Sequence, residues 1–359
     1  MTTRDKTRRI RLGNVEIGGD APVSVQTMCN TDTRDAAATA DQIKRCMALG
    51  CDIVRLAVPD QAAAEALPEI RRRTPGVPLV ADIHFDWRLA IAAAEAGIDG
   101  LRINPGNIGD IERVRAVVAA AHARRIPIRV GVNGGSLEKS ILEKYGSATP
   151  EALVESALGH VRILEDEGCE AIKISVKASD VPRTLAAYRL LAAKTDWPLH
   201  IGVTEAGTFL AGTVRSCVAL GQLLAEGIGD TVRVSLTDKP EQEVRVGVEL
   251  LRASGLRAPG PHVTSCPTCG RTRVDVIGIA RRVEDALEAF YLENPNAPRP
   301  HVAVMGCVVN GPGEAREADI AIAGGEGKFL LFVHGVQRGV IPESEAAEEI
   351  VRQVANWRN

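Results

Sequence analysis

Eight short β-branched runs, separated by Ala-rich amphipathic segments, constrain the fold of this chain more than any other feature. They span residues 23–28, 53–58, 78–85, 100–107, 127–133, 171–177, 199–205 and 231–237. Strand-like runs that alternate with helix-like segments are typical of βα units around a parallel sheet. Eight units in about 250 residues predict a closed (β/α)₈ TIM-type barrel, with an open doubly wound sheet as the alternative.

A second domain is predicted after the barrel. Residues 252–263, RASGLRAPGPHV, place several Gly and Pro residues close together, which indicates a linker. The boundary therefore divides a barrel domain, residues 1–258, from a smaller domain, residues 259–359. The second domain contains the strand-like runs HVAVMGCVV, ADIAIAG and KFLLFVHG and ends in the helical segment ESEAAEEIVRQVANW. This mixture predicts an α+β fold.

Composition and charge exclude several classes of function. The formal net charge is −3, so no global basic field attracts nucleic acid. The first twenty residues are charged where a signal peptide would be apolar, and no uncharged apolar run approaches the length of a membrane span. We therefore expect a cytoplasmic protein without a membrane partner. Eight cysteines in such a chain favour thiols or metal ligation over a disulfide framework.

Polar side chains in the predicted strands fall on one face. Because side chains alternate along a strand, residues of one parity share a face, and the opposite parity is largely apolar here. The shared set is predicted to point into the barrel. It comprises Arg55, Asp82, His84, Arg102, Asn104, Arg129, Asn133, Lys173, Ser175, Lys177, Arg233 and Ser235.

This inward set is rich in cations and poor in acids, with Asp82 and Glu205 the evident carboxylates in the strands. Burying a cation without a partner costs several kcal/mol, so the set calls for an anion. Active sites of this fold lie at the C-terminal ends of the strands, where NPGN, VNGGS and TEAG let backbone amides approach an oxyanion. A phosphorylated or diphosphorylated small molecule is the expected ligand. Ion pairs with helix carboxylates are the alternative explanation of the basic residues.

Three cysteines and a glutamate indicate a metal centre in the second domain. Cys266 and Cys269 lie in SCPTCGRT, and Cys307 and Glu314 lie in MGCVVNGPGE. Three thiolates favour soft metals and iron–sulfur clusters, whereas a structural zinc site is usually closed by a fourth Cys or a His. CPTC alone also fits half of a zinc knuckle or a redox dithiol. A carboxylate such as Glu314 is usually a surface group, but as a weakly held oxygen ligand it would leave and open a coordination position.

The chain resembles the 4-hydroxy-3-methylbut-2-enyl diphosphate synthase family along nearly its whole length. The resemblance rests on VQTMCNTDT, LVADIHFD, LRINPGNIG, VRVGVNGGSLE, KISVKASD, HIGVTEAG, SCPTCGRT and MGCVVNGPGE, in that order. It implies an iron–sulfur oxidoreductase acting on a CH or CH₂ group. Such an enzyme opens 2-C-methyl-D-erythritol 2,4-cyclodiphosphate reductively and removes a hydroxyl, giving the allylic diphosphate for isoprenoid synthesis. A [4Fe-4S] cluster fed by flavodoxin or ferredoxin would deliver two electrons.

The resemblance also implies roles for individual residues. Cys266, Cys269, Cys307 and Glu314 would hold the cluster, with Glu314 displaceable, and Glu205 would be the acid near the substrate. The diphosphate would be held by Arg55, Arg102, Arg129 and Lys173, and the pocket would also include Asp82, His84, Asn104, Asn133, Arg233 and Ser235. The family further implies a homodimer in which the active site is shared between subunits.

The sequence differs from the family pattern at one position, and it allows two alternative functions. Cys29 stands where the family commonly has Thr, and its role is not fixed by the sequence. A barrel hydrolase or aldolase for a phosphate ester, with structural zinc in the second domain, is one alternative. An anion-binding or iron-sensing module without catalysis is the other.

Overall fold

The chain divides into two units, Met1–Arg257 and Ala258–Asn359. The computed structural model describes residues 4–258, 260–294, 296–307, 313 and 317–357. Glu314, one of the predicted metal ligands, lies outside the described residues. No helix in the described ranges is both long enough and apolar enough to cross a membrane.

The first unit begins with a short helix and a hairpin. A 3₁₀ turn at Arg4–Lys6 precedes the antiparallel strands β1 (Ile10–Leu12) and β2 (Val15–Ile17). A Cβ on Gly100 would lie 3.0 Å from Cδ1 of Leu12, which is buried against the start of a barrel strand. The hairpin therefore covers the N-terminal end of the barrel, a feature that the sequence patterns did not predict.

Eight parallel strands form the barrel. They are β3 (Ser24–Met28), β4 (Ile53–Ala57), β5 (Leu79–Asp82), β6 (Gly100–Ile103), β7 (Ile128–Asn133), β8 (Ile172–Lys177), β9 (His200–Ile201) and β10 (Thr231–Val232). Their spatial order is β8-β7-β6-β5-β4-β3-β10-β9, and a parallel bridge from Ile174 to Leu199 joins the two ends. All eight predicted runs contain a strand, and the barrel fold is confirmed.

Helices surround the strands. They are α1 (Ala36–Ala48), α2 (Gln61–Arg73), α3 (Trp87–Glu95), α4 (Pro105–Ile108), α5 (Ile111–Arg124), α6 (Lys139–Tyr145), α7 (Pro150–Asp166), α8 (Val181–Ala192), α9 (Phe209–Ala225) and α10 (Pro240–Ala253), with a 3₁₀ turn at Gly134–Ser136. Aspartates begin many of them because a carboxylate accepts the unpaired N–H groups of the first turn. Asp35, Asp60, Asp86, Asp110 and Asp180 each do so.

The second unit is an α+β fold, as predicted. Its elements are β11 (His262–Ser265), α11 (Val276–Glu293), β12 (His301–Met305), β13 (Ile320–Gly324), β14 (Lys328–Val333), β15 (Val336–Pro342), a 3₁₀ turn at Glu343–Glu345 and α12 (Ala346–Ala355). The strands lie in chain order, with the first two pairs parallel and the last two antiparallel. Apolar residues of α11 and α12, including Ile279, Val283 and Ile350, pack on this sheet.

The region between the units is shorter than the predicted linker at residues 252–263. Helix α10 continues to Ala253, and strand β11 begins at His262. The Gly and Pro residues that suggested the linker lie between these two elements. The runs identified in the sequence did not include β11, β15 or α11.

Candidate functional site

The polar face predicted for the barrel strands does point inward. Asp82, Arg102 and Arg129 are each less than a tenth exposed, although they lie on strands whose other face packs on helices. The outward residues of β8, such as Ile172 and Ile174, are fully buried. Alternation with period two therefore separates an apolar outer layer from a charged interior.

Asp82 is the acidic centre of this interior. Its Oδ1 accepts a hydrogen bond of 3.1 Å from Nη1 of Arg102, and its Oδ2 lies 3.5 Å from Nε of Arg55. Burial alone would raise the pKa of Asp82, but the nearby Arg55, Arg102 and Arg129 hold it below its usual value. Asp82 is thus ionised and compensates part of the arginine charge. Arg102 is fixed further by a 3.0 Å bond from Nη2 to the carbonyl of Gly131.

A second carboxylate comes from a helix. Nη2 of Arg233 donates to Oε1 of Glu243 on α10 at 3.0 Å, and Glu243 also accepts from the hydroxyl of Thr27 at 2.9 Å. The alternative of ion pairs with helix carboxylates is therefore correct for Arg233. Its Nη1 also donates to Ser235 at 3.3 Å.

Three other interior cations form no hydrogen bond or ion pair with a carboxylate within the described ranges. Arg129 donates one hydrogen bond, from Nη1 to Ser175 at 2.6 Å, while its Nε and Nη2 are buried without a partner among the residues described. Burial, reinforced by Arg55 and Arg102, lowers the pKa of Arg129 well below its usual value. Lys177 and Lys173 are likewise buried, and burial lowers the pKa of both. The interior therefore favours an anion electrostatically.

The two lysines of β8 lie at different depths. Lys173 is in register with Arg129, near the start of the strand, and faces a cavity of about 10 Å³ beside Leu12 and Gln26. Lys177 is in register with Asn133 at the C-terminal end of the strand, and its Nζ lies 3.4 Å from Nε2 of His200. Parity predicted the shared face but not this difference. Lys177 lies at the C-terminal end of the strand, and the substrate-binding set predicted from sequence did not include it.

The loops at the C-terminal ends of the strands carry the remaining predicted residues. Asn104 caps α4, where its Oδ1 accepts a 3.2 Å hydrogen bond from the N–H of Gly106. His84 is largely exposed, and its Nε2 lies 3.1 Å from Nη1 of Arg102. Glu205 is exposed and has a φ of 54°, in the left-handed region that disfavours a residue with a Cβ. Strain of this kind is common where a side chain is held for function.

Two of the predicted metal ligands follow adjacent parallel strands of the second unit. Cys266 comes directly after β11 and Cys307 comes shortly after β12, so both lie at one edge of the sheet. Sγ of Cys266 accepts a 3.1 Å hydrogen bond from the N–H of Gly306. Cys269 is exposed, and a backbone hydrogen bond from Arg271 lowers its pKa. Backbone N–H donors directed at sulfur stabilise the thiolate form that binds metal.

The described residues alone do not form a complete metal centre. No group of three His, Cys, Asp or Glu side chains within these ranges has the geometry of a metal site. Cys29, in the barrel unit, is buried, and burial raises the pKa of its thiol. The free Cys29 side chain is therefore protonated at neutral pH.

Fold and site together define a class of protein. The first unit is a (β/α)₈ barrel whose interior favours a small anion, and the second is an α+β unit with thiols at one sheet edge. The comparisons with known proteins are more specific. The GcpE TIM-barrel domain matches residues 7–248, and the GcpE protein C-terminal domain matches residues 262–356. The chain belongs to the GcpE family.

Relatives of high identity support this assignment. The chain is 61% identical to the 4-hydroxy-3-methylbut-2-en-1-yl diphosphate synthase (flavodoxin) of Geobacter sulfurreducens, over 97% of each chain. It is 57% identical to the protein of the same name from Maridesulfovibrio salexigens, over 99% of this chain and 97% of that one. Among solved structures, a dihydropteroate synthase from Thermus thermophilus in complex with 6HMPPP covers 69% of this chain and 98% of its own, with a TM-score of 0.50 and 17% identity. That likeness concerns the barrel fold alone.

A diphosphate should stabilise the barrel through its unpaired cations. We expect inorganic pyrophosphate to raise the thermal unfolding midpoint of the wild-type protein. At a concentration one hundred times Kd, binding adds about 2.7 kcal/mol to the free energy of unfolding. Arg129→Met should lose most of this gain, because Arg129 has buried N–H groups without partners among the described residues. Arg115→Met, on the exposed face of α5, is the control and should keep it. An equal gain in Arg129→Met would contradict the assignment.

Lys173 provides a test by pH. Burial lowers its pKa to about 7, far below the value of about 10.4 in an unfolded chain. Between these values the unfolded chain binds more protons, so the Lys173 contribution disfavours folding most at or below pH 7 and fades as the pH rises toward 10. We expect Lys173→Met to stabilise the barrel more at pH 7 than at pH 9.5, measured by unfolding midpoints. The exposed Lys144→Met is the control, and a gain independent of pH would refute a buried charge.

Proposed function

We propose that this chain is a 4-hydroxy-3-methylbut-2-en-1-yl diphosphate synthase. It would convert 2-C-methyl-D-erythritol 2,4-cyclodiphosphate into (E)-4-hydroxy-3-methylbut-2-enyl diphosphate, a reductive step in isoprenoid precursor synthesis, in the cytoplasm. The observation that carries the proposal is the barrel interior, where buried cations lack carboxylates to match them in the described ranges. A cyclic diphosphate supplies that charge. The family assignment and the names of the close relatives support the particular reaction.

The barrel would bind and orient the substrate. Arg55, Arg102 and Arg129 present guanidinium N–H groups that suit phosphate oxygens, and Lys177 would add an N–H donor from the C-terminal end of β8. Lys173, predicted to hold the diphosphate, would act from deeper in the barrel beside Arg129. Asp82 and Glu243 hold Arg102 and Arg233 in place before substrate arrives. This fixed arrangement lowers the cost of reorganisation when charge develops. His84, Asn104, Asn133 and Ser235 would complete the pocket.

The second unit would hold a [4Fe-4S] cluster. Cys266, Cys269 and Cys307 supply thiolate ligands, and Glu314 supplies a displaceable carboxylate. The residues fit such a group, because Cys266 accepts a backbone hydrogen bond from Gly306 and the pKa of Cys269 is lowered. A Cβ on Gly306 would lie 2.5 Å from Cγ2 of Val276, so glycine lets this backbone N–H approach the sulfur without a clash. When bound, the cluster supplies the two electrons of the reduction.

The proposed reaction breaks a C–O bond of the ring and removes a hydroxyl group. Ring opening breaks the C–O bond between the sugar carbon and a phosphate, leaving an additional ionised oxygen on the diphosphate. The cationic interior stabilises that new charge, which makes the ring phosphate a better leaving group. The hydroxyl leaves as water after it gains a proton, and the overall change consumes two electrons. Glu205, held in its left-handed conformation in the loop after β9, would supply the proton.

The proposal includes two kinds of partner. Flavodoxin, which appears in the names of the relatives, or ferredoxin would deliver the electrons. The chain would act as a homodimer in which subunits share the active site, as the family resemblance implies. Exposed apolar side chains on α9, among them Leu210, Val214 and Val218, support an association between copies of the chain.

Replacement of Glu314 tests the reaction and the cluster together. Anaerobically purified wild-type protein should form the allylic diphosphate from the cyclic one with reduced flavodoxin. Glu314→Ala should keep iron and sulfide, because three thiolates remain, but lose turnover by at least about a hundredfold. The control Glu326→Ala, in the turn between β13 and β14, should retain full turnover. Full turnover by Glu314→Ala would remove the role given to Glu314, and an inactive wild type would remove the proposed function.

A further inference from the structure

We propose that His160 is a positioning residue that holds two loops of the substrate pocket in place. The inference rests on the proposed function and extends it, because His160 lies on α7, outside the barrel interior and apart from the residues predicted to contact substrate. It is only 4% exposed. One side of its ring meets the segment after β7, and another meets the segment after β6.

The contact with the segment after β7 is through Glu138. Nε2 of His160 lies 2.5 Å from Oε1 of Glu138, at ion-pair distance although the ring is not oriented for a linear hydrogen bond. The other carboxylate oxygen, Oε2, accepts a 2.8 Å hydrogen bond from Ser156, one turn earlier on α7. Glu138 precedes α6 but does not cap it with its side chain. Its carboxylate instead ties the Asn133–Glu138 segment to α7.

The contact with the segment after β6 is through Gly106. A Cβ built on Gly106 would lie 2.6 Å from Cε1 of His160, so the imidazole packs directly against the glycine. Gly106 lies in α4, and its N–H donates to Oδ1 of Asn104. Asn104 is a predicted substrate contact, and its position therefore depends on where α4 rests against His160.

His160 thus contacts both the segment that follows Asn104, through Gly106, and the segment that follows Asn133, through Glu138. Burial lowers the pKa of His160, against the attraction of Glu138, so the ring is neutral at neutral pH and its Nε2 stays in close contact with the carboxylate. Replacing the imidazole with a smaller side chain would remove both contacts at once. A displacement of even 1 Å in a positioned group is sufficient to reduce catalysis strongly.

A double-mutant cycle between Gly106 and His160 tests this inference. The variants are Gly106→Ala, His160→Ala and the double variant, all made in full-length, anaerobically purified protein. Gly106 does not have a positive φ, so the added methyl group acts through space and not through backbone strain. The readouts are KM and kcat for the cyclic diphosphate and the Kd for inorganic pyrophosphate, with the unfolding midpoint measured alongside.

We expect Gly106→Ala to raise KM and the pyrophosphate Kd about tenfold in the wild-type background. With His160→Ala the clash is gone, so the same methyl group should cost less than about threefold, which gives a measurable coupling. His160→Gln, which keeps an N–H donor for Glu138, should recover much of the affinity that His160→Ala loses. Gly159→Ala is the matched control, because it lies next to His160 on α7 with no atom within 4 Å of the new Cβ.

The outcomes separate this inference from the proposed function. Wild-type protein that neither turns over the cyclic diphosphate nor binds pyrophosphate would overturn both. Active wild-type protein with additive effects of Gly106→Ala and His160→Ala would overturn the positioning role and leave the function intact. Effects on the unfolding midpoint alone, with KM and Kd unchanged, would equally overturn it. Coupled losses of affinity, absent in Gly159→Ala, would support it.

Discussion

The guanidinium of Arg102 is held between the carboxylate of Asp82 and the carbonyl of Gly131, and around it the barrel buries more cationic than anionic side chains in the part of the chain that is described. Unpaired buried cations destabilise a fold, because they lose hydration without a compensating contact. A chain that retains them gives up stability for binding. The most direct explanation is a ligand that brings two or more negative charges into the barrel.

The surrounding structure fixes these cations before a ligand arrives. Asp82 restrains Arg55 and Arg102 from a neighbouring strand, Glu243 restrains Arg233 from α10, and Ser175 restrains Arg129. Each restraint leaves other N–H groups of the interior available to a phosphate. The loops at the strand ends are held in turn from outside the barrel, through contacts such as that of Glu138 with α7. Binding groups held in this way lose little freedom when they bind.

The sequence predicted the parts of this arrangement that depend on local periodicity. Alternation identified the eight strands and the inward face, and spacing identified Cys266 and Cys307, which the structure brings to one edge of a sheet. Alternation along a strand shows which face a side chain is on but not how far along the barrel axis it lies. It therefore did not distinguish Lys173 from Lys177. Nor can it reveal tertiary partners. Glu243 on a helix pairs with Arg233 on a strand, and His160 on α7 packs against Gly106 in α4. Both contacts depend on tertiary packing, which local sequence patterns do not predict. The site of Glu314 lies outside the described residues and stays a prediction.

The most direct test of the account is EPR spectroscopy of the anaerobically purified, dithionite-reduced protein, with iron and sulfide analysis, in the presence and absence of the cyclic diphosphate. We expect roughly four irons per chain and a reduced-cluster signal that changes when substrate is added. The change should disappear in Arg129→Met at the same substrate concentration, because the barrel cations hold the substrate. Bound zinc, or a cluster signal that substrate does not alter, would contradict the account.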